Sequence, residues 1–204
     1  MITRLDNHED QAGAWDVISS AAGALAFDIG ANIGQASRAM APNFTHVVAL
    51  EPCTESYEIA ATETPDNVTV LCLAAADHEG ELTLTETARS IRSGQLTTGE
   101  GLSWGAIVGE RTVPCVTIDW LTRVYGPPDF CKIDVEGAEI GVLEGAQRTL
   151  AEHHPQVVVE VHRERHGPLV RDLLPGYDLT ELRHGDYVRE GGYTWRNHWW
   201  VMAR

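Results

Sequence analysis

Three apolar runs in the first part of the chain each end near a carboxylate: Asp28 in FDIGANIG, Glu51 in HVVALEP and Asp77 in AAADHEG. Further along, KIDVEGAE sets Lys132, Asp134 and Glu136 at alternate positions, and VVVEVH does the same with Glu160 and His162. Side chains at alternate positions of a strand share a face, so each set should present its polar groups together. Carboxylates, an imidazole and an ammonium gathered in this way can take a proton, orient a hydroxyl or hold a hard cation. The first series suits binding instead, because Gly30 and Gly34 follow Asp28 and let bare backbone approach a ligand at a strand end.

Two ligand classes compete for that turn. A dinucleotide asks for G-x-G-x-x-G, but Gly30 is followed by Ala31, Asn32, Ile33, Gly34 and Gln35, and Asp28 would repel a pyrophosphate. S-adenosylmethionine carries an ammonium and a sulfonium and no phosphate, so a carboxylate beside the turn attracts it. Glu51 at the end of the second strand could accept both ribose hydroxyls, and Asp77 after the third could read the adenine amine. Each alone also fits a structural role: Asp28 as a cap, Glu51 as a solvated strand end, Asp77 as the start of a turn before Gly80. Their placement at three successive strand ends favours the adenosyl cofactor. A nicotinamide-dependent oxidoreductase is the competing enzyme class. A non-catalytic scaffold or partner subunit that keeps the cleft is the competing non-enzymatic one.

These groups need strands beneath them. Apolar runs bounded by turn residues alternate with helix-period stretches, which predicts parallel strands joined by crossover helices. Strands are expected at 24–29, 46–51, 67–75, 129–134 and 156–162, with helices over about 33–41, 54–62, 138–152 and 165–174. A short amphipathic helix through Trp15, Val17 and Ile18 lies within 1–22, and another begins near Asp119. ELTLTET alternates as an exposed strand. The stretch 88–111, with Arg89, Arg92 and Trp104, is an irregular Gly-, Ser- and Thr-rich excursion expected to form a substrate loop. Two β-rich runs around Glu190, Gly191 and Gly192 read as a closing hairpin, with Trp199 and Trp200 alternating between core and sheet edge. The predicted fold class is α/β, a doubly wound and mostly parallel sheet with helices on both faces and an antiparallel last strand, in one domain over 1–204.

Composition narrows the partners. With 204 residues, 43% hydrophobic and 22% charged, the chain can bury one good core. A net charge of −15 repels duplex nucleic acid, so none is expected as a partner. The local basic cluster of Arg163, Arg165 and Arg171 could still bind an anion, but reads rather as a solvated helix face. No stretch has signal-peptide character or the ~18 apolar residues of a membrane span, which points to the cytoplasm. Cys53, Cys72, Cys115 and Cys131 lie far apart without a CxxC pair, as reduced and mostly buried thiols would.

FDIGANIG, VVALEP, VTIDWL and KIDVEGAEIGVLEGA together resemble the FkbM-type family of class I S-adenosylmethionine-dependent methyltransferases, over about residues 24–162. KIDVEGAE is the most specific part. The resemblance implies a seven-stranded sheet, cofactor contacts from Asp28, Gly30, Asn32, Gly34 and Glu51, and O-methylation of a small molecule, sugar, lipid or other natural product. The chain is short beside longer relatives, so a lid over the substrate would be reduced or come from a partner subunit, as in a homo-oligomer.

Methyl transfer to a hydroxyl requires in-line approach and help with the proton. Asp134 is the expected base or orienting group, His162 the alternative base, and Asp134 with Glu160 the pair that could share magnesium. Lys132 paired with Asp134 or Glu160, purely to join adjacent strands, is the structural alternative. Glu136 and Glu139 flank a helix start and are expected to serve its dipole. His153 and His154 are expected at a helix C-cap.

Overall fold

The computed structural model describes residues 12–87, 95–96, 107–183 and 199–204. Helix α1 (Ala12–Ser20) packs Ala14 and Ile18 inward and leads into strand β1 (Gly23–Ile29). Helix α2 (Gln35–Met40) crosses to β2 (Phe44–Leu50), and α3 (Thr54–Glu63) crosses to β3 (Val68–Leu71). The three strands pair in parallel. β1 is apolar on both sides because both are covered: Leu25, Phe27 and Ile29 enter one core, and Ala26 enters the other beside Met40 of α2. Strand parity therefore sends Asp28 to the α2 side.

The run 67–75 does not continue as one strand. The Leu73 N–H returns to the Leu71 carbonyl at 2.9 Å and turns the chain, so Ala74–Ala75 forms β4 outside the main sheet. There it joins β5 (Gly80–Thr87), β6 (Gln95–Leu96) and β7 (Ile107–Val116) in a side sheet ordered β4-β7-β5-β6. Residues 107–111, expected as part of the irregular excursion, thus begin a ten-residue strand. Gly109 and Pro114 hide it from a reading by period, and the antiparallel ladder with β5 forms it, burying Leu84 and Val113. The remainder of the excursion, with Arg89, Arg92 and Trp104, lies outside the described residues.

Helix α4 (Ile118–Tyr125) starts where the Thr117 hydroxyl accepts the Trp120 N–H at 2.9 Å. Strand β8 (Phe130–Ile133) follows, then α5 (Glu139–Glu144), α6 (Gln147–His153), β9 (Gln156–Val161) and α7 (His166–Asp172). The helix expected over 138–152 is therefore two. A side chain at Gly145 would stand 2.2 Å from the Ala76 carbonyl oxygen, and the break there lets the chain pass that backbone. His154 caps α6 in the left-handed region at φ 47°, donating to the Leu150 carbonyl at 3.2 Å.

Strands β10 (Leu179–Arg183) and β11 (Trp199–Ala203) complete a seven-stranded sheet ordered β10-β11-β9-β8-β1-β2-β3, in which β11 alone runs antiparallel to its neighbours. The expected doubly wound class holds. β11 lies inside the sheet, so Trp199 and Trp200 both bury, one in each core, and neither marks an edge. The hairpin turn at 190–192 lies outside the described residues. No described helix is long and apolar enough to cross a membrane.

Candidate active site

The strand order reverses direction at β1, whose neighbours β2 and β8 leave by crossovers on opposite sides, and open α/β sheets bind ligands at such a point. A cleft of about 530 Å³, counting its open mouth, lies there. Gly30, Asn32, Glu51 and Pro52 line one side, Leu73, Ala74 and Ala75 form an apolar floor, and Asp134, Val135 and Glu136 form the opposite wall. The kink after β3, missed by the sequence pattern, is what supplies that floor.

Gly30 is required where it stands. Its φ is +78°, and an added Cβ would lie 1.9 Å from the Asp134 carbonyl oxygen. Gly30→Ala is expected to push β1 and β8 apart at the cleft and cost at least about 2 kcal/mol of stability, measured as a lower urea midpoint; an unchanged midpoint would contradict the close approach.

Glu51 is buried and held by two backbone donors. Its Oε2 accepts the Asn32 N–H at 2.7 Å, and its Oε1 accepts the Cys53 N–H at 2.8 Å. Each oxygen keeps a second lone pair for another donor. Burial raises its pKa to about 6, against the lowering by those two hydrogen bonds and by Lys132.

Asp28 does not reach the cleft. It is fully buried under α2, where the Ser37 hydroxyl donates to Oδ2 at 2.6 Å and the Lys132 ammonium lies 3.1 Å from Oδ1. Asp28 and Lys132 are register partners on adjacent strands, which the sequence alone could not reveal. Lys132 also donates to the Gly30 carbonyl at 2.8 Å and lies 3.4 Å from Asp134 Oδ2, so it ties the glycine turn to the opposite wall. Burial opposes its charge, but Asp28 and Asp134 outweigh that and hold its pKa above the ordinary lysine range. Gly34 starts α2 at φ +78° and sits away from the lining, against Thr64 and Ala60. Asp77 is exposed beyond β4 and bonded to His78 Nδ1 at 2.6 Å, also off the lining.

The second set does assemble. His162 Nε2 lies 3.6 Å from Asp134, 3.5 Å from Glu136 and 4.0 Å from Glu160. Glu139, expected only to serve a helix dipole, is wholly buried behind them. Its Oε1 accepts from His162 Nδ1 at 2.7 Å and from the Gly137 N–H at 2.8 Å, and its Oε2 accepts from His166 Nδ1 at 2.8 Å. The two histidines four apart, His162 just after β9 and His166 at the first position of α7, were the available signal for this clamp. Burial works against a charge on His162, but the Glu139 hydrogen bond and the carboxylates of Glu160, Glu136 and Asp134 prevail and raise its pKa to about 10. The imidazole is thus cationic at neutral pH, which speaks against His162 as a base there. Burial, then the like charge of Asp134, pushes Glu160 well above the carboxylate range. Arg163 is not on a solvated helix face: it precedes α7 and is buried.

The chain matches the methyltransferase FkbM domain family over residues 28–188. It belongs to the FkbM methyltransferase family. Both polar sets fall within the matched span, and the nicotinamide-dependent alternative gives way to this family. Solved structures agree in fold. A methyltransferase FkbM from Methylobacillus flagellatus KT superposes with a TM-score of 0.60 at 18% identity; the alignment covers 88% of this FkbM chain and 43% of that protein, so the chain spans under half of that length. The N-methyltransferase NodS from Bradyrhizobium japonicum WM9, solved with S-adenosyl-L-homocysteine, gives 0.52 at 12% identity over 99% of this chain and 90% of that one. An rRNA methylase from Streptococcus thermophilus gives 0.60 at 9% identity, over 100% and 98%. No curated protein sequence matches the chain.

Proposed function

We propose that this FkbM chain is an S-adenosylmethionine-dependent methyltransferase acting on a hydroxyl of a small-molecule or glycosyl acceptor. The observation that carries this reading is a single cleft lined by both Glu51 and Asp134. The charged side chains on the lining, among the described residues, are all acidic: Glu51, Asp134 and Glu136. That suits a cationic nucleoside and opposes a diphosphate.

Glu51 would accept the ribose hydroxyls, with the Gly30–Asn32 turn alongside. The donor brings a methyl group on a positively charged sulfur. Asp134 accepts the hydrogen bond of the acceptor hydroxyl and takes its proton as the oxygen attacks. The Lys132 ammonium and the His162 imidazolium flank that carboxylate and fix its orientation, while Glu139 fixes the imidazole. Leu73, Ala74 and Ala75 keep water from the floor.

One observation favours a second reading. Asp134, Glu160 and His162 each offer a ligand atom, all within 4.8 Å of one another, as a divalent cation would need. Against it, two side-chain cations already neutralise these carboxylates, and magnesium prefers all-oxygen sets. Activity is expected to survive EDTA; loss restored by added magnesium or manganese would establish the metal reading instead.

The direct test is incubation with methyl-labelled donor and a panel of hydroxylated acceptors, followed by mass spectrometry. Labelled product and S-adenosylhomocysteine should appear together. A scaffold would bind the cofactor and release neither.

A further inference from the structure

Arg163 lies beside the reacting cluster, and the chemistry above gives it no task. Its residue exposure is 8%, yet among the described residues its side chain makes no hydrogen bond and no ion pair, and its Nε is buried without a partner. The carboxylates of the neighbouring cluster are paired with other cations: Asp134 with Lys132 and His162, Glu136 and Glu160 with His162, and Glu139 with His162 and His166. A guanidinium N–H taken from water without an acceptor is costly, so a buried Nε of this kind is retained where something outside the chain supplies the acceptor.

The surroundings make room for this group. Gly137, at φ +106°, presents bare backbone to it: an added Cβ would lie 3.2 Å from Nη2, 3.3 Å from Nε and 3.5 Å from Cζ. Gly137 directly follows Glu136 of the cleft wall, and Arg163 directly follows His162, which faces Asp134. The guanidinium therefore lies against Gly137, one residue beyond the Glu136 wall of the cleft and on the side opposite Glu51.

We propose that Arg163 binds an oxyanion of the methyl acceptor, a carboxylate or a phosphate ester, and so selects an anionic hydroxyl compound. The inference rests on the proposed methyltransferase reading for what the anion belongs to. A planar guanidinium fork pairs two oxygens at once, which Lys cannot do. On a chain of net charge −15, anionic compounds are not held by the general field, and a buried fork gives the one acceptor a specific foothold.

The test uses protein labelled with ¹⁵N-arginine and saturated with S-adenosylhomocysteine, titrated separately with inorganic phosphate and with acetate. The Arg163 Nε–H signal, identified by its absence from R163K, is expected to shift saturably, while those of the exposed Arg123 and Arg148 do not. The anion that saturates at lower concentration names the source. R163Q should weaken that binding at least about tenfold by calorimetry and leave S-adenosylhomocysteine binding unchanged. An Arg163 signal that stays put with both anions, or drifts without saturating, overturns the proposal; so does R163Q binding the anion as the wild type does. If R163Q does not fold, the wild-type titration still decides. If S-adenosylhomocysteine itself fails to bind, the methyltransferase reading falls, and the anion titration on the free protein still reads Arg163.

Discussion

Asp134→Asn is expected to bind S-adenosylmethionine as the wild type does and to transfer its methyl group about 10²–10⁴-fold more slowly, the usual worth of a positioned base. Asparagine keeps the shape and can still accept a hydrogen bond, but it cannot take a proton. The same change leaves Lys132 and the His162 imidazolium with one fewer counter-charge, 3.4 Å and 3.6 Å away, so thermal melting is measured alongside. A variant that melts like the wild type, binds cofactor and has lost turnover places the proton transfer at Asp134. One that retains full turnover would move it elsewhere in the cluster.

Glu51→Ala should act on the opposite end of the cleft, weakening S-adenosylhomocysteine binding by about one to two orders of magnitude through the loss of charge-assisted hydrogen bonds. Its pH dependence follows from burial, which lifts the Glu51 pKa to about 6. Only the ionised carboxylate can accept a hydroxyl hydrogen on each oxygen, so protons compete with the ligand. Affinity is expected to be flat above that pH and to fall as pH drops through about 6. Glu51→Gln should lower the plateau and remove the slope. An alanine variant with wild-type affinity, or a wild-type profile without a slope near this value, would separate Glu51 from the cofactor.

Periodicity was enough to read the sheet, because strands buried on both faces leave continuous apolar runs and their crossovers leave helical ones. It failed at β4 and β7, where a backbone turn after Leu71 and ladder bonds to β5 decide the path, and neither leaves a period. The candidate site divides the same way. The alternation of Lys132, Asp134 and Glu136 and of Glu160 and His162 was legible, since parity carries it. What parity could not say was which neighbour lies across the register. That register pairs Asp28 with Lys132 and withdraws it from the cleft. The Glu139 clamp likewise joins residues more than twenty positions apart, and the chain offers no local sign of it beyond the paired histidines.

Titration calorimetry of the intact protein near neutral pH, with S-adenosylhomocysteine in one experiment and NAD in another, addresses the cleft most directly. The acidic lining around Glu51 predicts saturable one-site binding of the first and none of the second. Binding of the dinucleotide with no response to the nucleoside thioether would contradict it.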